Sequence, residues 1–201
     1  MAESEEKIKI LESEIMEQMT EDEKLYYVTP RELAEVCQKK KFVVLVGRNS
    51  EENSEYAAEV CEYMKQNNSD DIWYFLLKLE SDEFKSLHPE LTVEVNDTPA
   101  LSIDKLENTV KSRNNSSKMS MIVIDYLWLM VTQNTYTTKK EEIEEVLSKI
   151  KRLVEQEKIT VLALVLLSKY APNNHSLRKE LESYGNFIQW ADLIVKSSSE
   201  I

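Results

Sequence analysis

Short, continuous apolar runs recur along this chain, and a segment with helical periodicity follows most of them. The clearest runs lie at residues 42–46, 121–124 and 161–167. A run of this length without polar alternation is typical of a strand that is buried on both faces. Buried strands that alternate with helices predict an α/β fold, with a mostly parallel central sheet and helices on both faces.

Helix start signals lie between these runs. Thr29 can cap a helix whose first residue is Pro30, and Glu32 can complete a capping box. Serine side chains can cap two further helices, Ser81 one that ends near residue 87 and Ser102 one that ends near residue 113. The other predicted elements are a helix after the polar residues 48–55, an amphipathic helix over 143–154, and strands at 72–79, 92–95 and 193–195.

The chain is predicted to form one domain over residues 29–201. It has 201 residues, which suits a single core, and no repeat or long linker divides it. Residues 1–28 are predicted to be an N-terminal amphipathic helix and linker, because Ile8, Leu11, Ile15 and Met19 share one stripe. Such a helix needs a surface to dock on, either in its own domain or in a neighbour.

Charge and composition limit the classes of function that are open to the chain. The net charge of −12 argues against a domain that carries nucleic acid by itself, because phosphate contacts come from clustered Lys and Arg. Cys37 and Cys61 have no paired spacing, which favours reduced core thiols over a disulfide or a metal site. No apolar run approaches the roughly 20 residues that cross a bilayer. We therefore expect a cytoplasmic protein with no metal site and no membrane contact.

The turn after the first predicted central strand is the first position that bears on function. In such folds ligands bind beyond the carboxyl ends of the strands, and a phosphate loop of the pattern G-x-x-x-x-G-K-[ST] would lie here. Glu52 stands where the second glycine belongs, and Asn53 stands where the lysine belongs. The lost lysine removes an attraction of about 4 kcal/mol for charges roughly 4 Å apart, and Glu52 cannot readily adopt the positive φ of glycine. The sequence thus predicts a nucleotide-loop remnant that does not hold a triphosphate, made of Gly47, Arg48, Ser50, Glu52, Asn53 and Ser54.

Two carboxylates end predicted strands on the same rim of the sheet. Asp125 closes the strand that begins at 121, and it suits indirect coordination of Mg²⁺ in a nucleotide site. Glu80 follows the strand after the loop helix. Each signal is weak alone, because many strands end in an acidic residue.

Taken together, these residues make the chain similar to the C-terminal motor domain of DnaB-type replicative DNA helicases, over roughly residues 29–196. The most specific match is 122–127, which resembles the family's I-V-I-D-Y-L. The resemblance implies a RecA-like P-loop NTPase fold, with Asp125 at the Mg²⁺ site and Glu80 at the position of the catalytic glutamate. Other similar segments are 47–50 (G-R-P-S), 79–80 (the end of F-S-L-E), 96–102 (the D-x-P segment), 161–164 (V-I-A-L) and 181–192 (L-R-E-S-G-x-I-E-Q-D-A-D).

The departures from the family pattern lie mainly at the chemistry. Glu52 and Asn53 replace the loop glycine and lysine, and Leu166 stands where the family has the glutamine that senses the γ-phosphate. Ile188 and Trp190 replace acidic positions in the late segment. Several losses in one site indicate an abandoned activity, in which Glu80 and Asp125 would be vestigial.

Three functions are compatible with this resemblance. The favoured one is a catalytically inactive homologue of the helicase motor that needs no cofactor and acts through protein contacts, with a replicative helicase or a second copy of itself as partner, in DNA replication or mobile-element biology. The first alternative is an ATP-dependent DNA helicase or translocase subunit with an unconventional phosphate loop, which would use Glu80 as general base and Asp125 with Ser54 at Mg²⁺. The second is a non-hydrolysing DNA-binding protein, whose candidate loop residues are Lys139, Lys140, Lys169 and Arg178.

Three other side chains admit a functional and a structural interpretation. Arg48 could hold a lone phosphate or carboxylate, but a structural salt bridge is favoured. Trp128 and Trp190 could mark a partner surface, but core filling after a strand is favoured for both.

Overall fold

A computed structural model describes residues 26–39, 41–67, 71–77, 81–114, 119–168 and 177–197. The apolar stripe from Ile8 to Met19 lies outside these residues, so the N-terminal helix remains a prediction.

The core is a parallel sheet whose seven described strands run in the order β1-β7-β2-β6-β5-β3-β4. The four long strands are buried along almost their whole length, as the apolar runs predict. The predicted α/β fold with a mostly parallel sheet is thus confirmed. The strands are β1 (Tyr26–Tyr27), β2 (Phe42–Gly47), β3 (Asp71–Leu76), β4 (Glu94–Asn96), β5 (Met119–Asp125), β6 (Thr160–Leu166) and β7 (Leu193–Lys196).

Helices cover both faces of the sheet. On one face, α1, α2 and α3 pack residues such as Leu33, Cys61 and Phe84 against the strands. On the other face, α4 to α7 contribute Leu106, Ile150 and a further set of buried side chains. The helices are α1 (Pro30–Cys37), α2 (Ser50–Asn67), α3 (Ser81–Leu87), α4 (Ile103–Asn114), α5 (Lys139–Glu157), α6 (Leu177–Tyr184) and α7 (Phe187–Trp190), with a 3-10 turn at Leu127–Leu129.

The predicted helix caps are confirmed at two of three positions. Thr29 and Glu32 form the capping box of α1, and the Ser102 hydroxyl accepts from the Lys105 amide at 3.2 Å at the start of α4. The cap predicted at Ser81 is wrong, because Ser81 is itself the first residue of α3. Its amide and hydroxyl both donate to Asp97 Oδ2, at 3.0 and 2.8 Å. These hydrogen bonds lower the pKa of the exposed Asp97 carboxyl.

Two element boundaries differ from the sequence prediction. The helix after β2 begins at Ser50, within the residues predicted to be a polar loop. The short strand β1 lies in the segment predicted to be a linker, so the sheet begins before Thr29. Among the described helices, none combines the length and the apolar character needed to span a bilayer.

Candidate functional site

The ends of three adjacent strands bring the predicted site residues to one edge of the sheet. β6 lies between β2 and β5, and its last residue, Leu166, pairs with Gly47. Asp125 is the last residue of β5. Because the strands are parallel, the turn after Gly47 and the Asp125 carboxylate lie on the same rim. The structure therefore brings the loop remnant and Asp125 together, as predicted.

The turn after Gly47 is short because the helix begins early. Only Arg48 and Asn49 separate β2 from the first residue of α2. The Asn49 side-chain oxygen accepts from the Glu51 amide at 3.0 Å, and the Asn49 carbonyl accepts from the Asn53 amide at 3.1 Å. In a phosphate loop, free amides of this region surround the phosphates. Here Asn49 already occupies the Glu51 amide.

Asn53 is packed into the interior of this turn. Its side chain is fully buried, and a Cβ added to Gly47 would lie 1.9 Å from Asn53 Oδ1 and 2.3 Å from Ser197 Oγ. The Asn53 amide lies near the Tyr126 hydroxyl, but neither of its polar atoms meets hydrogen-bond geometry. The residue in the lysine position thus points toward Gly47 and has no exposed surface.

The first turn of α2 carries exposed negative charge. Glu51 and Glu52 are both exposed in this turn, and Glu52 accepts from the Asn49 side-chain amide at 2.9 Å. The positive end of the helix dipole would favour an anion at this position. The two carboxylates instead supply that negative charge from within the chain. Glu52 is helical, so it does not adopt the conformation that a glycine allows in a loop.

Asp125 is held in a buried hydrogen-bond network. The Ser54 hydroxyl donates to Asp125 Oδ2 at 2.7 Å, and the Tyr74 hydroxyl donates to the same oxygen at 3.3 Å. Asp125 is buried. Burial, together with the charge of Asp125, raises the pKa of Tyr74 well above its ordinary value. The predicted pair of Ser54 and Asp125 is therefore in contact, whereas the sequence analysis missed Tyr74.

Tyr126 joins the end of β5 to the start of α2. Its hydroxyl donates to the Ser50 carbonyl at 2.8 Å. Burial and the neighbouring Asp125 raise the pKa of this phenol, so it stays protonated and remains a donor. The peptide bond between Asp125 and Tyr126 is cis. The sequence analysis quoted Tyr126 only as part of a motif and gave it no structural role.

Arg48 is engaged by the elements that follow β6. Its Nη2 atom lies 2.8 Å from Glu180 Oε2, and its Nη1 atom donates to the Ser168 carbonyl. The Ser168 amide donates to Glu180 Oε1 at 2.7 Å. The Glu180 side chain is only 7% exposed, against 27% for Arg48. The structural salt bridge predicted for Arg48 is thus confirmed, and Glu180 is its buried partner.

The candidate DNA-facing residues divide into described and undescribed positions. Lys139 donates to the Met130 carbonyl and to Glu142, each at 2.8 Å, and Lys140 donates to the Glu182 carbonyl at 2.7 Å. Both ammonium groups are therefore bound within the chain. Arg178 lies in α6, but its side chain is outside the described residues, as are Lys169 and the predicted vestigial catalytic residue Glu80.

The two tryptophans at issue pack against the core, which confirms the structural interpretation. Trp128 meets Tyr184 edge-on, with ring centroids 4.6 Å apart. Trp190 donates from Nε1 to Glu144 at 3.0 Å. In the part of the chain that the structure describes, no three His, Cys, Asp or Glu side chains form a group that could hold a metal ion.

Comparison with known proteins gives the same fold. The sequence profile of the DnaB-like helicase C terminal domain matches residues 78–196. The replicative DNA helicases DnaB of Rickettsia prowazekii (strain Madrid E) and of Rickettsia felis (strain ATCC VR-1525 / URRWXCal2) are each 27% identical over 109 residues, which cover 53% of this chain and 22% of the relative. The chain therefore spans only about a fifth of the length of the relatives it matches.

Two solved structures are also similar. One is a DnaB-like replicative helicase described with its interactions with primase, with a TM-score of 0.69, 15% identity, and coverage of 93% of this chain and 56% of that chain. The other is an isolated ATPase domain, with a TM-score of 0.65, 16% identity, and coverage of 94% of this chain and 81% of that chain.

Proposed function

Since the chain belongs to the family of DnaB-like helicase C-terminal domains, we propose that it is a catalytically inactive member that acts in the cytoplasm through protein contacts. The observation that carries the proposal is the packing of Asn53 against Gly47, where the amide oxygen lies 1.9 Å from the position of an added Cβ. A side chain in that place leaves no room for a phosphate within the turn.

The residues present do not fit a nucleoside triphosphate with Mg²⁺. A phosphate loop needs a lysine beside the phosphates and free backbone amides around them. Asn53 is uncharged and fully buried, and the Glu51 amide is already bonded to Asn49. Arg48, the one cation of the turn, is bound to Glu180 and Ser168.

Local charge adds to this mismatch. Glu51 and Glu52 lie in the first turn of α2, where a triphosphate would approach. A pair of like charges about 4 Å apart at an effective dielectric constant of roughly 20 repel by about 4 kcal/mol. Even a third of that energy would weaken triphosphate binding by about tenfold.

The proposed partner is a protein that carries the same kind of domain. A DnaB-like replicative helicase has a solved structure with its interactions with primase, which makes protein partnering plausible for a domain of this fold. We propose either a replicative helicase of the DnaB type or a second copy of this chain as the partner. A role in DNA replication or in mobile-element biology is part of the same proposal.

Nucleotide binding tests the central claim. Titration of the protein with ATP and Mg²⁺ in a calorimeter is expected to give no saturable heat at ATP concentrations up to about 1 mM, well above the micromolar range of a working site. A DnaB-type helicase domain with an intact loop serves as the positive control. Micromolar affinity that is lost in Asp125→Asn would overturn the proposal.

A second experiment tests the partner. The tagged chain is used to capture a purified DnaB-type helicase, and its self-association is measured by sedimentation velocity. Binding to the helicase or formation of a defined oligomer supports action through protein contacts. A strictly monomeric chain that captures no helicase would remove that part of the proposal.

One observation favours the alternative of a working ATP-dependent helicase or translocase subunit. The hydrogen bond from Ser54 to Asp125, at 2.7 Å, joins the last residue of the loop pattern to the carboxylate that would lie near Mg²⁺. This alternative requires ATPase activity that DNA stimulates and that Asp125→Ala abolishes. Absence of such activity at low salt would exclude it.

A further inference from the structure

A groove with a volume of about 610 Å³ lies on the helical face opposite α1 and α2, away from the loop remnant. One side of α4 forms most of its wall, and Trp73 of β3 and Gln133 complete it. The neighbouring side of α4 is joined to α5 by the ion pairs Lys149–Asp104 and Arg152–Glu107. The groove therefore has the size of a small-molecule site, which is commonly about 300–1,000 Å³.

The wall of the groove combines neutral hydrogen-bonding groups with positive charge. Asn108, Thr109, Ser112 and Gln133 supply amides and hydroxyls, and Lys105 is a cation with no ion pair among the described residues. No carboxylate is among the lining residues, although the chain has a net charge of −12. Such a groove would attract a ligand with one anionic group and several hydroxyls.

Trp73 lines this groove and has an unsatisfied donor. Its side chain is only 8% exposed, and its Nε1 atom has no hydrogen-bond acceptor. The Arg113 guanidinium lies 5.4 Å from the centre of the indole ring and is held by Glu94 at 3.0 Å and Asp71 at 3.7 Å. A buried donor without an acceptor is unfavourable. A ligand oxygen at this position would satisfy it.

We propose that this groove is a binding site for a sugar phosphate. Lys105 pairs with the phosphate, and the amides and hydroxyls along α4, with Gln133, bond the sugar hydroxyls. A single unpaired cation matches a single phosphate group. A purely apolar ligand is disfavoured, because Trp73 is the one aromatic or aliphatic side chain in the lining.

The indole N–H signals provide a direct test, with ribose 5-phosphate as the probe. The chain has three tryptophans, so ¹H–¹⁵N spectra of the labelled full chain show three indole signals, which single Trp→Phe variants assign. We expect a saturable shift of the Trp73 signal at sub-millimolar probe, while the Trp190 signal, whose donor is bonded to Glu144, stays in place. No shift of the Trp73 signal at about 10 mM probe, well above that range, would overturn the proposal.

Variants and related probes separate specific recognition from general charge attraction. Lys105→Met is expected to weaken binding by about tenfold, and Lys111→Met, which removes the same charge from the same helix outside the lining, is expected to leave it unchanged. Equal losses in the two variants, or no loss in Lys105→Met, would contradict the assignment. Ribose and inorganic phosphate are each expected to bind at least about tenfold more weakly than ribose 5-phosphate. Equal affinity for either one would refute a sugar phosphate site. The proposed function does not depend on the outcome, because the loop remnant is not involved.

Discussion

The Asn53 side chain and the Cα atom of Gly47 are in such close contact that a methyl group on Gly47 would lie 1.9 Å from the Asn53 amide oxygen. Gly47→Ala is therefore expected to lower the free energy of unfolding by about 1–3 kcal/mol through overpacking, as measured by urea denaturation. Asn53→Ala alone should change stability less, because the amide has no hydrogen-bond partner. In the double variant Gly47→Ala/Asn53→Ala most of the loss should disappear. An unchanged loss in the double variant would show that Asn53 is not the obstacle.

Restoring the lysine of the phosphate-loop pattern tests whether the turn is closed. Asn53 is fully buried, so Asn53→Lys would place an ammonium group there without a partner. We expect a loss of at least about 3 kcal/mol in the free energy of unfolding, and a smaller loss for Asn53→Met, which has a similar length and no charge. A stable Asn53→Lys protein that binds ATP at micromolar concentration would mean that the turn opens easily.

Arg48 is expected to contribute to stability through Glu180. Arg48→Met would leave the buried Glu180 carboxylate without its cation, at a cost of about 1–3 kcal/mol after allowance for the partial exposure of Arg48. Adding Glu180→Met should recover part of this loss, since the buried charge is then removed as well. Arg31→Met, at an exposed position in α1, is the matched control and should have little effect. Equal effects of the two arginine substitutions in thermal or urea unfolding would contradict the buried pair.

Stability at acid pH should depend on Glu145. Partial burial acts in the opposite direction, but hydrogen bonds from Lys149, Tyr136 and Asn134 lower the pKa of Glu145 from 4.5 to about 2. A carboxyl with a lowered pKa in the folded state stabilises that state above its unfolded pKa, and this contribution disappears as the pH falls toward the folded pKa. The Glu145→Gln variant should therefore lose less stability than the wild type between pH 4.5 and about 2. Urea midpoints across this interval measure the difference, with the exposed Glu155→Gln as control. Parallel curves for wild type and Glu145→Gln would disprove the assignment.

DNA binding through Lys139 and Lys140 is not expected. Both ammonium groups donate to acceptors within the chain, so a contact with a phosphate would first have to break these bonds. Gel-shift assays with single-stranded DNA should show no complex at about 50 mM salt, where phosphate contacts are strong. A complex that weakens steeply with salt and is lost in Lys139→Ala/Lys140→Ala would support the DNA-binding alternative.

The sequence predicts the sheet well because its strands are long and wholly apolar. β2, β5 and β6 lie where the runs at 42–46, 121–124 and 161–167 place them, since only burial on both faces suits such runs. The contact between Ser54 and Asp125 was also predictable, because parallel strands bring their carboxyl ends to one edge. Local signals and a fixed topology are sufficient for this part of the structure.

The remaining contacts depend on residues that are distant in sequence. Glu180 lies 132 positions from Arg48, and no local pattern identifies it as the partner. Asp97 supplies the acceptor for the start of α3 from 16 positions away, so a search for a cap near Ser81 fails. The early start of α2 was missed because the sequence pattern indicated a loop, whereas Asn49 supplies the cap from within that pattern.

The strand order also constrains how the protein folds during synthesis. In the described sheet, β7 lies between β1 and β2 and is the neighbour of both. Residues 193–196 are the last of the seven strands to leave the ribosome, so the nascent chain must hold β1 without its pairing partner until then. The sheet edge next to β2 stays open for most of translation. Unpaired edges of this kind recruit other chains, so we expect the ribosome-bound intermediate to depend on chaperones more than the released domain does.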